Sequence, residues 1–251
     1  MATRPAGKRK DEIGRSIRQR VGRLDFGALT AELDERGHAF VPKLLRAGEC
    51  RSVRALWREP DRFRKRVNLA RHGFGDHGEY RYFARPLPPL VSALRRELYP
   101  SLAQVANDWA ERLGDPRRFP RTLSGLARRC REHGQPEPTP LILDYDEGGY
   151  NCLHQDLYGP VFFPLQLAIG LTRAGSDYEG GAFLLVEGRP RQQSRGDAIT
   201  LGLGDAVIFP TAERPVRGAR GFYRGQLRHG VARVTRGHRM TLGIIFHDAK
   251  S

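Results

Sequence analysis

Residues 141–172 read LILDYDEGGYNCLHQDLYGPVFFPLQLAIGLT, and with this stretch the chain changes character. Short runs rich in β-branched and aromatic residues begin here, separated by Gly, Pro and charged turns. They continue downstream as GAFLLVEG, DAITLGLG, AVIFP, YRGQLRHGVARV and RMTLGIIFHD. Together with LILDYD, YNCLHQ and FFPLQLAIGLT they make eight predicted strands with no helix between them. That is the pattern of an antiparallel barrel or sandwich, most simply a jelly roll. The predicted class is α+β: a double-stranded β-helix (jelly roll) over residues 136–251, with an N-terminal helical region packed on its main sheet.

Upstream of Pro140 the apolar residues recur at helical spacing. FGALTAELDERG is closed by Gly37 before a short strand-like HAFVP. RAGECRSVRALWRE follows, then NLARHGFGDHGEYRYFARPLPP, which reads as a loop because Gly, Pro and aromatics crowd it. LVSALRRELYPSLAQVANDWAERLG resumes the helical period, with Pro100 as an expected break or kink. FPRTLSGLARRCREHG is a further helix, and QPEPTP marks the boundary. Residues 23–135 are therefore expected to be mainly helical, and residues 1–22 to form a basic mobile arm.

The net charge of +15 is unevenly spread. Residues 1–135 carry 30 Lys and Arg against 16 Asp and Glu, a net of +14, whereas residues 136–251 are nearly balanced. Clustered cations attract polyanions and release their counterions, so DNA or RNA is an expected partner of this basic surface. Arginine far outnumbers lysine, which biased codon usage also produces without any such partner. Cys50, Cys130 and Cys152 show no CxxC spacing and form neither a disulfide framework nor a structural zinc site, which points to a reducing compartment. No apolar run approaches the roughly 20 residues a bilayer span needs. A cytoplasmic protein off the membrane, with no obligate protein partner, is the expectation.

His154 and Asp156, in NCLHQDLY, are two residues apart and so share one side of an extended strand, roughly 6.5–7 Å apart along the backbone. That is the tightest spacing at which an extended chain offers two side chains to one ion. A third ligand must come from His229, His238 or His247. His229, in QLRHGVARV, lies in a strand that a jelly roll can set beside the second one. Two histidines and a carboxylate on one face of an ion leave its other positions open, the arrangement of non-haem Fe(II) oxygenases. In RMTLGIIFHD, Met240, Leu242, Ile244 and Phe246 form one apolar face, expected against the helices. Arg239, Thr241, Gly243 and Ile245 then face the barrel interior, where a lone arginine requires an anionic partner such as a dicarboxylate. His247 lies about 26 Å along an extended strand from Arg239 and is not expected to share its site. His238 is expected in the preceding turn. Gly180 and Gly181 read as a tight turn or a close backbone approach, and Cys152 as a small core residue. The arginines of residues 214–239, with Phe222 and Tyr223, are candidates to hold a phosphate backbone and stack on a base.

HQD, RHGV and the later arginine on β-strands resemble the Fe(II)/2-oxoglutarate-dependent dioxygenases. The resemblance covers about residues 141–249. LHQDLYG, FPLQ, GGAFLLVEGRPRQQSR, RPVRGARGFYRGQLRHGV and TLGIIFHDA are similar to one bacterial family of this group, described as an oxygenase acting on damaged DNA and related to the AlkB-type demethylases. The resemblance implies that His154, Asp156 and His229 bind Fe(II), that Arg239 binds the distal carboxylate of 2-oxoglutarate, and that Tyr145 contacts the same cosubstrate. It implies O2 as the oxidant, succinate and CO2 as coproducts, and hydroxylation or oxidative demethylation of the substrate. The chain departs from the AlkB type at Ile245, where that type has a second arginine. The alternative substrate class is a protein or amino acid, as for prolyl hydroxylases. A non-enzymatic binding module on the same fold is the third reading.

Overall fold

The computed structural model describes residues 6–188 and 193–250, so the first five residues of the basic arm and the RPRQ of GGAFLLVEGRPRQQSR lie outside the described residues. The N-terminal part runs α1 (Ala6–Val21), α2 (Phe26–Arg36), β1 (Ala39–Val41), α3 (Ala47–Ala55), β2 (Phe63–Asn68), β3 (Gly75–Phe83), α4 (Pro89–Arg112) and α5 (Leu123–Glu132). The remainder is β4 (Leu141–His154), β5 (Leu165–Gly170), β6 (Tyr178–Gly180), β7 (Phe183–Gly188), β8 (Arg195–Ile199), β9 (Ala206–Pro210), β10 (Glu213–Gly218), β11 (Gly221–Val231), β12 (Val234–Gly237) and β13 (Arg239–Ile244).

The expected mobile arm is instead a docked helix from residue 6 onward. Ile13, Ile17 and Val21 recur every four residues and so share one face of α1; Ile17 and Val21 are buried against the core. Arg18 pairs with Glu97 of α4 at 3.2 Å, and Arg20 pairs with Glu49 at 2.8 Å. Lys10, Arg15 and Arg18 are exposed to solvent. Basic residues dominate the composition but not the packing.

α2 starts at Asp25, whose side chain accepts from the Ala28 N–H, and ends at Gly37 in the left-handed conformation. α4 continues through Pro100 without the expected break, and its buried side, including Leu94, Leu98, Leu102 and Trp109, packs on the sheet. The face of β13 expected to meet the helices does so: Met240, Leu242, Ile244 and Phe246 all lie in that core. The stretch expected as a loop around residues 68–89 instead contains β3, which with β2 extends the sheet beside β4. Its Gly and aromatic content masked an alternating strand, GEYRYF.

The strands form one curled antiparallel sheet, ordered β1-β9-β5-β13-β4-β11-β7-β8, with β3 and β2 added at β4 and β10 at β11. β6 and β12 pair separately. LILDYD and YNCLHQ, expected as two strands, are the halves of β4. Its first half pairs with β13 and its second with β11, so this one strand belongs to both walls of the roll. In register, Tyr145 faces Arg239 and His154 faces His229.

Candidate active site

Cross-strand pairing brings the His154 and His229 rings to 4.3 Å between centres. Just beyond β4, Asp156 sets Oδ2 3.2 Å from His229 Nε2 and Oδ1 3.7 Å from His154 Nε2. One ligand atom from each of the three lies within 4.8 Å of the others, so the expected triad is brought together as a candidate metal site. His154 Nδ1 lies 2.7 Å from the Cys152 carbonyl oxygen. Only a protonated Nδ1 donates there, so the lone pair sits on Nε2, facing the other two groups. Phe209 and Phe183 wall the His229 ring at 4.8 and 5.8 Å.

Burial pushes the Asp156 carboxyl up, but the charge and hydrogen bond of His229, with His154 and the Tyr158 hydroxyl, bring it well below the usual carboxylate range. Burial and the neighbouring His229 lower His154. An ionised carboxylate beside a neutral imidazole is the protonation state a metal ligand set requires.

These residues line a cavity of about 380 Å³ whose wall also carries Arg239, Thr241 and Ile245. The inward face expected for β13 is thus the cavity face. Arg239 is 2% exposed, and no carboxylate of the described residues pairs with it. Its Nε and the Thr241 Oγ1, two residues on, are buried without a hydrogen-bond partner among the described residues. The guanidinium instead lies over the Tyr145 and Tyr178 rings, 5.5 and 5.9 Å from their centres. Tyr145 is fully buried, which pushes its phenol up to about 12, and its hydroxyl accepts from Asn151 Nδ2 at 3.4 Å. Gly181 has φ +57°, and a Cβ there would meet Arg239 Cδ at 2.7 Å. Gly181 therefore makes room for the arginine, whereas Gly180, at φ +69°, makes room for the Arg233 carbonyl oxygen.

The other histidines part company. His238 follows the turn and pairs with Asp144, whose hydrogen bond raises it. His247 is buried behind the triad, where its Nε2 meets the Asp156 carbonyl oxygen at 3.2 Å. Of the arginines in 214–239, Arg214 is buried on Glu187 at 3.0 Å, Arg224 binds Glu213 and Asp115, and Arg236 binds Glu179. Arg217, Arg220 and Arg228 are exposed. Much of this run thus holds the fold, and Phe222, expected to stack on a base, lies under Arg112 at 5.5 Å. Cys152, expected in the core, is exposed, while Cys50 and Cys130 are buried, and all three are free thiols.

Three site residues were not singled out from sequence. Tyr158 donates to Asp156 Oδ1 at 2.5 Å, Tyr82 donates to Tyr158 at 3.0 Å, and Gln166 lines the cavity with Nε2 unpartnered among the described residues. Only Tyr158 left a trace, standing two residues after Asp156.

The fold is that of known oxygenases. A 2-oxoglutarate/Fe(II) oxygenase from Burkholderia pseudomallei superposes with a TM-score of 0.53 at 15% identity, over 91% of this chain and 93% of that one. A Pseudomonas putida prolyl-4-hydroxylase gives 0.52 at 14%, over 87% and 96%. In sequence, "Uncharacterized protein Rv2227" of Mycobacterium tuberculosis H37Rv is 44% identical over 167 residues, 66% of this chain and 72% of that protein. No helix among the described residues is long and apolar enough to cross a membrane. A family model, described as an oxygenase catalysing oxidative methylation of damaged DNA, matches residues 78–249, and the chain, an oxygenase on the 2-oxoglutarate/Fe(II) jelly roll, belongs to that Oxygenase-NA family.

Proposed function

We propose that the chain is an Fe(II)/2-oxoglutarate-dependent dioxygenase acting on damaged nucleic acid, with His154, Asp156 and His229 as the iron ligands and Arg239 as the anchor of the distal carboxylate. The observation that carries the reading is the convergence of three ligand atoms within 4.8 Å on a cavity whose wall holds a buried arginine with no acidic partner among the described residues. The donor set fits the metal: two imidazoles and a carboxylate suit a ferrous ion and leave positions open. The unpartnered Arg239 Nε and Thr241 Oγ1 fit a carboxylate.

Bound iron with 2-oxoglutarate and O2 supplies the oxidation, converting one substrate C–H to C–OH as 2-oxoglutarate becomes succinate and CO2. On an N-methyl group the hydroxylated carbon leaves as formaldehyde. The chain's own part is to bind and orient. Arg239 and Thr241 fix the far end of the cosubstrate, with Tyr145 beside the guanidinium. Phe183, Phe209 and Ile245 keep the cavity apolar around the reacting carbon. Where the AlkB type has its second arginine, Ile245 gives this cavity an apolar wall instead. Phe74 and Leu153 are exposed at the cavity's edge and offer an apolar lip for an unstacked base. Exposed Arg217, Arg220 and Arg228, on β10 and β11 with their turn, and the basic first half supply charge for phosphates.

The test is anaerobic loading with Fe(II), then succinate release in air with methylated single-stranded DNA and, separately, with peptide pools. Stimulation by the methylated DNA, lost in His154→Ala, is expected. Succinate absent under all conditions would overturn the oxygenase reading, and stimulation by peptides alone would overturn the nucleic-acid substrate.

A further inference from the structure

We propose that Tyr158 is a positioning residue that decides which oxygen of Asp156 is offered to the metal, and that Tyr82 carries this control to strand β3. The inference rests on the iron-site reading above. The Tyr158 hydroxyl donates to Asp156 Oδ1 at 2.5 Å, while Oδ2 remains 3.2 Å from His229 Nε2. Each phenol has one hydrogen. Because Tyr158 gives its own to the carboxylate, it receives from Tyr82, 3.0 Å away, and the chain Tyr82 to Tyr158 to Asp156 has a single direction.

The geometry holds this chain rigid. The Tyr158 ring meets Tyr82 edge-on at 6.1 Å and His247 at 5.7 Å. His247 Nδ1 accepts from the Phe163 N–H at 3.2 Å, so its proton is on Nε2, which donates to the Asp156 carbonyl oxygen. The aspartate is therefore fixed at both its main chain and its side chain by residues outside the triad. A carboxylate with both oxygens free can chelate an ion and take an extra coordination position. With Oδ1 held by a phenol, Asp156 would offer Oδ2 to a bound ion, leaving the place that chelation would take to cosubstrate and oxygen. Outer partners of this kind orient ligands and set affinity in metal sites generally.

The experiment measures binding of Co(II) to the full chain without oxygen, by titration calorimetry and by the visible ligand-field spectrum. The variants are Tyr158→Phe, Tyr82→Phe, the double variant and His154→Ala. Tyr158→Phe keeps the ring and removes only the hydroxyl. It should weaken Co(II) binding by roughly 10- to 100-fold and change the band shape. Tyr82→Phe should have a smaller effect in the same direction and add nothing in the Tyr158→Phe background. Wild-type affinity and spectrum in Tyr158→Phe, with His154→Ala unable to bind, would overturn the proposal and leave the iron site intact. Failure of the wild type to bind, or undiminished binding by His154→Ala, would instead remove the iron-site reading. If Tyr158→Phe does not fold, as judged by circular dichroism, Tyr82→Phe decides alone, and an unchanged spectrum there counts against the proposal.

Discussion

Replacing Arg239 with Met should separate function from stability, and in opposite directions. Arg239 is almost fully buried, and no acid among the described residues pairs with it. An uncompensated buried charge costs several kcal/mol in effective terms. The Tyr145 and Tyr178 rings, 5.5 and 5.9 Å from the guanidinium carbon, return about 1–2 kcal/mol. A methionine fills much of the same volume without the charge, so the cosubstrate-free protein should gain about 1–2 kcal/mol. For a chain of this size that is a rise in Tm of roughly 2–8 °C. Cosubstrate binding should move the other way. Losing a two-pronged, charge-assisted contact of about 3–4 kcal/mol weakens 2-oxoglutarate by some 10²–10³-fold. Thermal denaturation of the cosubstrate-free protein and 2-oxoglutarate titration of the metal-loaded protein give both numbers. A variant that melts several degrees lower and still binds 2-oxoglutarate normally would refute the reasoning, because Arg239 would then be a structural residue with a partner.

Gly181→Ala should reproduce part of that loss with the arginine itself kept. The new Cβ would sit 2.7 Å from Arg239 Cδ at a φ of +57°, so about 1–3 kcal/mol of destabilisation and a raised KM for 2-oxoglutarate are expected in melting and succinate assays. Ile17→Ala tests the docked α1: a cost of about 2–4 kcal/mol in urea denaturation follows from burial, whereas a free arm would show none. Asp115 is held far below the usual carboxylate range by its hydrogen bonds to Arg117, with Arg224 adding to them against the opposing effect of burial. Its folded value lies below its unfolded value near 4, so its contribution is complete above about pH 4 and disappears as pH falls through the folded value. Asp115→Asn should therefore lower Tm most at neutral pH, and the gap to wild type should narrow below pH 4.

The jelly roll was legible from strand period, whereas the candidate triad was legible from residue types and from the strand placing of His154 and His229, since Asp156 lies just beyond β4. Period-two alternation survives in any strand with one buried face, and β13 shows it: Arg239, Thr241 and Ile245 turn to the cavity, Met240, Leu242 and Ile244 to the helices. α1 was obscured because three apolar residues at four-residue spacing are outnumbered by charges facing water. β3 was obscured because Gly75 and Gly78 look like loop residues, although each is required by a neighbour: a Cβ at Gly75 would strike the Tyr150 carbonyl oxygen at 2.1 Å, and one at Gly78 would strike the Tyr145 ring at 2.8 Å. Tyr82 and Gln166 were not legible as site residues because their roles depend on a partner 76 positions away and on a fold-made cavity, and His247 was set aside by a strand distance that does not apply, since β13 ends at Ile244 and His247 turns back to the Asp156 carbonyl oxygen.

The nine positions between Tyr145 and His154 show most directly why spacing alone misjudges a site. At roughly 3.4 Å per residue they would separate the arginine's partner from the histidine by about 30 Å, too far for one small cosubstrate. The register with β3 shows what happens instead. Between Asp76↔Tyr150 and Gly78↔Tyr145, β3 advances two residues while β4 advances five. Three extra residues are thrown out as a bulge, which draws the halves of β4 together and brings Asn151 Nδ2 to 3.4 Å from the Tyr145 hydroxyl. Gly148 at φ +86° makes the turn, and Gly149 fits where a Cβ would meet the His77 carbonyl oxygen at 2.5 Å. DEGGY, which reads as a break between two strands, is the device that shortens one strand. It lets His154 line the cavity while Tyr145 stays buried beside Arg239, which lines the same cavity.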